Sequence, residues 1–341
     1  MKTEHQPDED SYFGLPGVKE AGIKPNSPGH LKPVLVMLDK STVDYIPEGT
    51  PMVEPGELSR LGLNVPRIIF SLGKRRAIFL KIPRFAARIA RTVINRSIGY
   101  TSLRRNPVHP KTTADESVIQ EIRDMASGLG CGEVGFTSVP RDFVFSNKSI
   151  LYPNAIVLTM EMNKDRVSRA PSMSTGREVW RTYDQLGVVV NKIATQLRRR
   201  GFAVQAGAAL GGDVNYPRLA QKAGLGWIGK HGLLISPGRG PSQRIAAIYT
   251  SIENLPNTDS NSYEWIGDFC NNCHVCVQAC PGEAIFDTKP IMNDGNPKHI
   301  DYIRCAGPFA ESVGCSVCIK SCIFFRGDFE KIRQLHKKKS E

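Results

Sequence analysis

The sequence predicts an α/β or α+β sandwich followed by a small cysteine-rich module. Two observations predict it. Strand and helix signals alternate between Asp115 and Ser251, the pattern of a layered domain. Eight of the nine cysteines then fall between Cys270 and Cys322. A chain of 341 residues has room for both parts.

The elements follow in order. Asp115–Ser127 reads as a helix, with Val118, Ile119, Ile122 and Met125 on one side and acids in its first turn. Glu133–Ser138 is a short strand. Asn154–Met162 is a buried strand, carrying Ala-Ile-Val-Leu. Glu178–Arg200 is a long helix that stops at Gly201, with Arg198, Arg199 and Arg200 where the helix dipole favours cations. Phe202–Ala206 is a strand and Tyr216–Ala223 a short helix. Leu233–Ser236 and Arg244–Ser251 are strands. Residues 115–264 form this domain, 265–326 the cysteine module and 327–341 a basic tail.

The first third is different. Residues 1–57 are rich in Pro, Gly and acids, with one apolar run at Pro33–Leu38, and predict an irregular arm packed on the core in places. From Leu58 to Ala114 there is no Asp or Glu but thirteen Lys and Arg, so the net charge of +12 belongs to this segment. Pro83 suits the first position of a helix. Ile82, Phe85, Ile89 and Val93 would then share one face, and Arg84, Arg88 and Arg91 another. For this cationic segment, residues 74–98, three readings stay open: a surface helix docked on the enzyme, a peripheral contact with an anionic membrane or membrane partner, or an RNA contact.

Apolar content of 40% and charge of 23% describe an ordinary folded core. No run of 18 apolar residues exists to span a bilayer. Met1–Asp10 is acidic and polar, unlike a secretory signal, and carries no twin arginine. The expected location is cytoplasmic.

The cysteines form two runs. The first is Cys270-x2-Cys273-x2-Cys276-x3-Cys280-Pro281, the bacterial ferredoxin spacing for a [4Fe–4S] cluster. The second is Cys305-x9-Cys315-x2-Cys318-x3-Cys322, with Ile323 where the proline would stand. A tight loop supplies three thiolates to a cubane and must take the fourth from elsewhere. In two-cluster ferredoxins the fourth Cys of each run ligates the other cluster. Applied here, Cys270, Cys273, Cys276 and Cys322 hold one cluster, and Cys280, Cys305, Cys315 and Cys318 the second. Zinc accepts four thiolates too, but this is not its usual spacing. Disulfides need an exported context. Cys131, between Gly130 and Gly132, reads as a small buried residue before a strand, and His274 as a residue outside the ligand set.

One more segment stands out: Ala223-Gly-Leu-Gly-Trp-Ile-Gly-Lys-His-Gly-Leu-Leu-Ile235. It is neither a P-loop nor a dinucleotide fingerprint. Its glycines allow close approach of backbone, either to a ligand or to neighbouring chain. Followed by two cluster runs, it resembles the cobalamin-dependent iron–sulfur reductases, which comprise epoxyqueuosine reductases and reductive dehalogenases. Ala223–Lys230 looks like the first branch and His231–Ile235 like the second, while Tyr152-Pro-Asn-Ala-Ile-Val-Leu158 resembles a strand of both. The likeness covers about Asp115–Phe325.

The resemblance implies a nitroreductase-like sandwich with two [4Fe–4S] clusters and cobalamin. Gly224, Gly226, Trp227, Gly229, His231 and Gly232 would lie at the corrinoid. No DxHxxG histidine motif is present. Electrons from an external ferredoxin- or flavodoxin-type donor would pass through the clusters to cobalt and on to a small organic substrate. By likeness to dehalogenases, Tyr183 would supply a proton, backed by Lys230. By likeness to epoxyqueuosine reductases, which act on tRNA, Asp213 would do so instead. Its own sequence, Gly-Gly-Asp-Val-Asn-Tyr, reads more simply as a turn, with Tyr216 near the pocket. The short x9 spacer is closer to the dehalogenase side. A ferredoxin-type electron carrier without corrinoid is the alternative of a different class.

Overall fold

The computed structural model describes residues 42–53, 83–145, 148–207, 209–257, 260–291, 297–312 and 314–340. The apolar run at 33–38 and residues 74–82 of the cationic segment lie outside these. In chain order the helices are α1 (Pro83–Thr101), α2 (Glu116–Gly128), α3 (Lys164–Ser168), α4 (Met173–Arg199), α5 (Tyr216–Lys222), α6 (Trp265–Asn271), α7 (Val275–Gln278), α8 (Tyr302–Ser312), α9 (Val317–Ser321), α10 (Ile323–Arg326) and α11 (Phe329–Ser340). The strands are β1 (Val134–Ser138), β2 (Asn154–Glu161), β3 (Val204–Ala206), β4 (Trp227–Ile228), β5 (Leu234–Ile235) and β6 (Gln243–Thr250).

Four strands make one sheet in the order β1-β2-β6-β3, antiparallel at every pairing. Helices cover both faces, so alternate residues of β2 enter different cores. Ile156 and Leu158 join Leu186 and Ile193 of α4 and Ile119 and Ile122 of α2. Ala155 and Val157 join Ala247, Tyr249 and Leu219 of α5. Burial on both sides explains the unbroken Ala-Ile-Val-Leu run. The long helix α4 begins before Glu178, because the Ser172 side chain caps it by accepting the Thr175 N–H at 3.2 Å.

Pro83 does open a helix, and α1 lies along α4. The Arg91 guanidinium pairs with Asp184 of α4. Asn191 donates to the Asn95 carbonyl at 2.8 Å. A Cβ on Gly187 would meet Asn95 Cβ at 2.9 Å, so glycine sets the distance between the two helices. The buried face of α1 carries Thr92, Val93, Arg96 and Tyr100, whereas Ile94 and Ile98 face outward. This is the expected face: Val93 lies on it, partly buried Ile89 precedes it, and Arg96 and Tyr100 continue it at helical spacing. The described part of the arm, residues 42–53, touches the core: Thr42 donates to the Ser149 carbonyl at 2.7 Å, and Val53 bridges Ile150.

The C-terminal basic segment is helical. Phe329 and Ile332 of α11 are buried with Trp265, Phe324 and Ile266. No helix among the described residues is long and apolar enough to cross a membrane.

Candidate iron–sulfur and substrate sites

The cysteines converge in two sets. Cys270, Cys273, Cys276 and Cys322 line one small cavity, together with Lys230, His231, Phe269, Val275, Ile323 and Phe324. Burial pushes the Cys270 thiol up to about 11, against the Lys230 backbone N–H that donates to it. Burial likewise pushes Cys322 up to about 12, against the N–H groups of Phe324 and Phe325, with Cys270 and Cys276 adding to the rise. In the second set, burial pushes Cys305 up to about 12, and Cys280, Cys315 and Asp301 act in the same direction. Cys318 is raised by burial and then by Cys305 and Cys315. Ala284 N–H donates to Cys280 Sγ at 3.3 Å.

Local structure explains the irregular second run. The x9 spacer is mostly α8, which carries Cys305, while Cys315 precedes α9 and Cys318 lies in its first turn. Ile323, in the proline's place, starts α10 and lines the first cavity. Among the described residues, no three His, Cys, Asp or Glu side chains close to the spacing of one metal ion. A zinc ion holds its sulfurs about 2.3 Å from itself; a cubane keeps four thiolates farther apart. The donor type, four cysteines to a set, suits iron–sulfur clusters.

The glycine segment is a hairpin, β4 to β5, laid over the first set. Chain packing accounts for its glycines. A Cβ on Gly226 would meet the Ile235 carbonyl oxygen at 2.2 Å, one on Gly229 would meet Ile235 Cδ1 at 2.6 Å, and one on Gly232 would meet His299 Cβ at 2.9 Å. Gly224, at φ +72°, turns the chain out of α5. Trp227 packs over Gly267. At Gly226, Gly229 and Gly232 protein atoms occupy the space that the missing Cβ atoms leave, so packing within the chain by itself requires glycine there.

The expected pair of Tyr183 and Lys230 is separated. Lys230 Nζ is buried at the first thiol set and donates to Asp287 Oδ1 at 2.7 Å and to the Asn271 carbonyl at 3.2 Å. His274 Nδ1 meets the same Asp287 oxygen at 2.6 Å, and His274 is half exposed. Two neighbours hold the Asp287 carboxyl below the usual range: the Lys230 ammonium first, then His274. Tyr183 instead lines a small recess with Thr92, Asn95, Arg96, Gly187 and Gly207. The cation at Tyr183 is Arg244, whose guanidinium carbon lies 5.0 Å from the ring centroid. Arg244 Nε is buried without a hydrogen-bond partner. A lone charged residue in strand β6, next to the apolar run Ile-Ala-Ala-Ile, was the sequence signal for Arg244.

Asp213 stands in a bend beside Gly211 and Gly212, as its sequence suggests, but it is buried. It accepts from the Tyr100 hydroxyl at 2.6 Å and from Gln205 Nε2 at 3.2 Å, and it ties α1 to β3. Tyr216 is also buried, packed against Gly212. Cys131 is a small buried residue of the main core, its thiol pushed up to about 11 by burial.

A 4Fe-4S binding domain model matches residues 263–286. A tetrachloroethene reductive dehalogenase of Desulfitobacterium hafniense is 31% identical over 221 residues, covering 59% of this chain and 38% of that protein. The one from Sulfurospirillum multivorans is 25% identical over 265 residues, covering 72% of this chain and 50% of that protein. An epoxyqueuosine reductase of Listeria monocytogenes is 30% identical over 129 residues, 34% of this chain and 31% of that protein. The chain thus spans half or less of the length of these relatives. Among solved structures, the catabolic reductive dehalogenase NpRdhA, in complex with 3-bromo-4-hydroxybenzoic acid, shares the fold at a TM-score of 0.66. That match has 19% identity and covers 83% of this chain and 44% of that one. The resemblance read from the residues is borne out: the chain has homologues among reductive dehalogenases and, over a shorter span, epoxyqueuosine reductases, both oxidoreductases.

Proposed function

We propose that this chain is a reductive dehalogenase-like iron–sulfur reductase that passes electrons through two [4Fe–4S] clusters to a small organic substrate. The convergence of the cysteines into two sets of four carries this reading. Each cluster, when bound, supplies one-electron carriage. Cys270, Cys273, Cys276 and Cys322 would hold the first, and Cys280, Cys305, Cys315 and Cys318 the second. We read the helix-covered antiparallel sheet as a nitroreductase-like sandwich. An external donor of ferredoxin or flavodoxin type would feed the clusters.

The first set adjoins the side of the molecule that bears Tyr183. Cys270, Cys322 and Phe324 belong to one apolar cluster against which Tyr183 packs. Reductive removal of a substituent consumes two electrons and a proton. Tyr183 is the proton donor in this reading. The Arg244 cation over its ring stabilises the negative charge left on the phenol oxygen. The unpartnered Arg244 Nε favours a substrate or leaving group that is anionic. Cobalamin enters through kinship: a further structural neighbour, at 19% identity, is described as bearing on B12-dependent dehalogenation. No residue of Gly224–Gly232 is assigned to it.

The test uses the full chain reconstituted anaerobically with iron, sulfide and cobalamin, with a chemically reduced donor and a halogenated phenol. Tyr183→Phe should lower turnover about 10²–10⁴-fold, the usual worth of a positioned general acid, with iron content unchanged. Unchanged turnover in Tyr183→Phe would contradict the assignment. Turnover of epoxyqueuosine tRNA in place of the phenol would establish the other branch.

A further inference from the structure

The hairpin turn between β4 and β5 brings a second polar group to the first thiol set. His231 lines the same cavity as Cys270, Cys273, Cys276 and Cys322, and the residue is 3% exposed. Its Nδ1 accepts the Leu233 backbone N–H at 3.1 Å. An accepting Nδ1 leaves the ring proton of a neutral imidazole on Nε2. That Nε2 is buried and has no hydrogen-bond partner in the protein. An unpaired buried donor is costly, and native structures rarely keep one.

The surroundings narrow what its partner can be. Phe269, Val275, Ile323 and Phe324 line the cavity without offering an acceptor side chain. The ammonium of Lys230 is engaged with Asp287 and Asn271. The sulfurs of the thiol set, and whatever those thiols hold, remain. The neighbouring backbone already plays this part, since Lys230 N–H donates to Cys270. Gly229 keeps the ring in place: a Cβ there would stand 3.0 Å from His231 Cε1. Leu233, two residues on, fixes the tautomer through its N–H.

We infer that His231 Nε2–H donates a hydrogen bond to a sulfur of the [4Fe–4S] cluster held by Cys270, Cys273, Cys276 and Cys322. The inference rests on the proposed reading that this set holds a cluster. A donor on a cluster sulfur stabilises the reduced, more negative form and raises the reduction potential. His231 is then a tuning residue. It makes the cluster on the Tyr183 side the easier of the two to reduce, so that electrons collect there.

The experiment compares wild type, His231→Phe and His231→Gln, each as the full chain reconstituted anaerobically with iron and sulfide. Phe fills the ring volume without a donor, whereas Gln keeps an N–H. Iron and sulfide are counted first. Potentials are then read by EPR-monitored redox titration, and exchangeable protons by ENDOR after transfer to D₂O. His231→Phe should shift the higher-potential step to lower potential and leave the other step in place. It should also lose an exchangeable proton coupling, and His231→Gln should stay near wild type. A His231→Phe protein with full iron content and an unmoved potential would overturn the inference. So would equal shifts, or equal cluster loss, in both variants, which would mark His231 as a packing residue. Failure of the parent reading is distinguishable, because wild type itself would then hold fewer than two clusters.

Discussion

The two cysteine sets offer the same kind of ligand in different surroundings. The first lies under a hairpin. The backbone N–H of Lys230 and the cations Lys289 and Lys230 oppose the burial that raises Cys270. The second has a carboxylate in the corresponding place: after burial, Cys280 and Cys315, Asp301 raises Cys305 further. Cations and N–H donors favour an added electron, and a carboxylate opposes it. Eight thiolates alone leave the direction of electron flow undetermined. In the proposed reading their neighbours would supply it, from the second set to the first and toward Tyr183.

The largest effect tests whether the sets are crossed between the two runs. Cys270→Ser combined with Cys322→Ser should remove no more iron than either alone, because both cysteines serve one cluster. Cys270→Ser combined with Cys280→Ser should remove iron from both clusters. The reverse pattern in anaerobic iron and sulfide counts would mean that each run holds its own cluster.

A second variant pair sharpens the separation of Lys230 from Arg244. Lys230→Gln should lower the potential of the first cluster on the order of tens of millivolts, without altering the step at Tyr183 once electrons arrive. Arg244→Gln should lower turnover and leave both potentials unmoved. Redox titration and single-turnover assays read the two effects separately.

The smallest effect is an asymmetry in acid. Burial, and then His299, hold His231 down to about 3. Burial, and then Lys289, hold His299 down to about 4, and its ring meets the Lys230 carbonyl on the hairpin. Unfolded histidine titrates near 6.5. The unfolded chain therefore takes up these protons first. The stability linked to neutral histidine is fully present above pH 6.5 and is lost as pH falls toward about 4 and then about 3. Denaturation midpoints of the cluster-free chain should fall over that window, and His299→Phe should flatten the slope. An identical slope in His299→Phe would remove this difference between the two sides.

Much of this was legible from residue order. The thiol spacing gave the two sets, and period and caps gave the strands and helices of the sheet domain to within a few residues. The early start of α4 escaped because Met173-Ser-Thr-Gly reads as loop until Ser172 is seen as a cap. The C-terminal helix escaped because lysines outnumber the buried Phe329 and Ile332. The glycine hairpin was legible only in part. Glycine marks close approach, but sequence does not say to what, and here it is Ile235 and His299. Lys230 stands beside those glycines in sequence, yet its ammonium turns to Asp287. Arg244, well separated along the chain, reaches Tyr183 because β6 lies beside β2 and under α4. Asp213 looked like no more than a turn residue because its partners, Tyr100 and Gln205, are distant or hidden in a strand.

The most direct measurement is an EPR-monitored redox titration of the full chain after anaerobic reconstitution, with iron and sulfide counted on the same sample. Two [4Fe–4S] clusters per chain and two reduction steps are expected, the higher one lowered by Lys230→Gln. A single cluster, or a higher step that ignores Lys230→Gln and moves with Asp301→Asn, would contradict this.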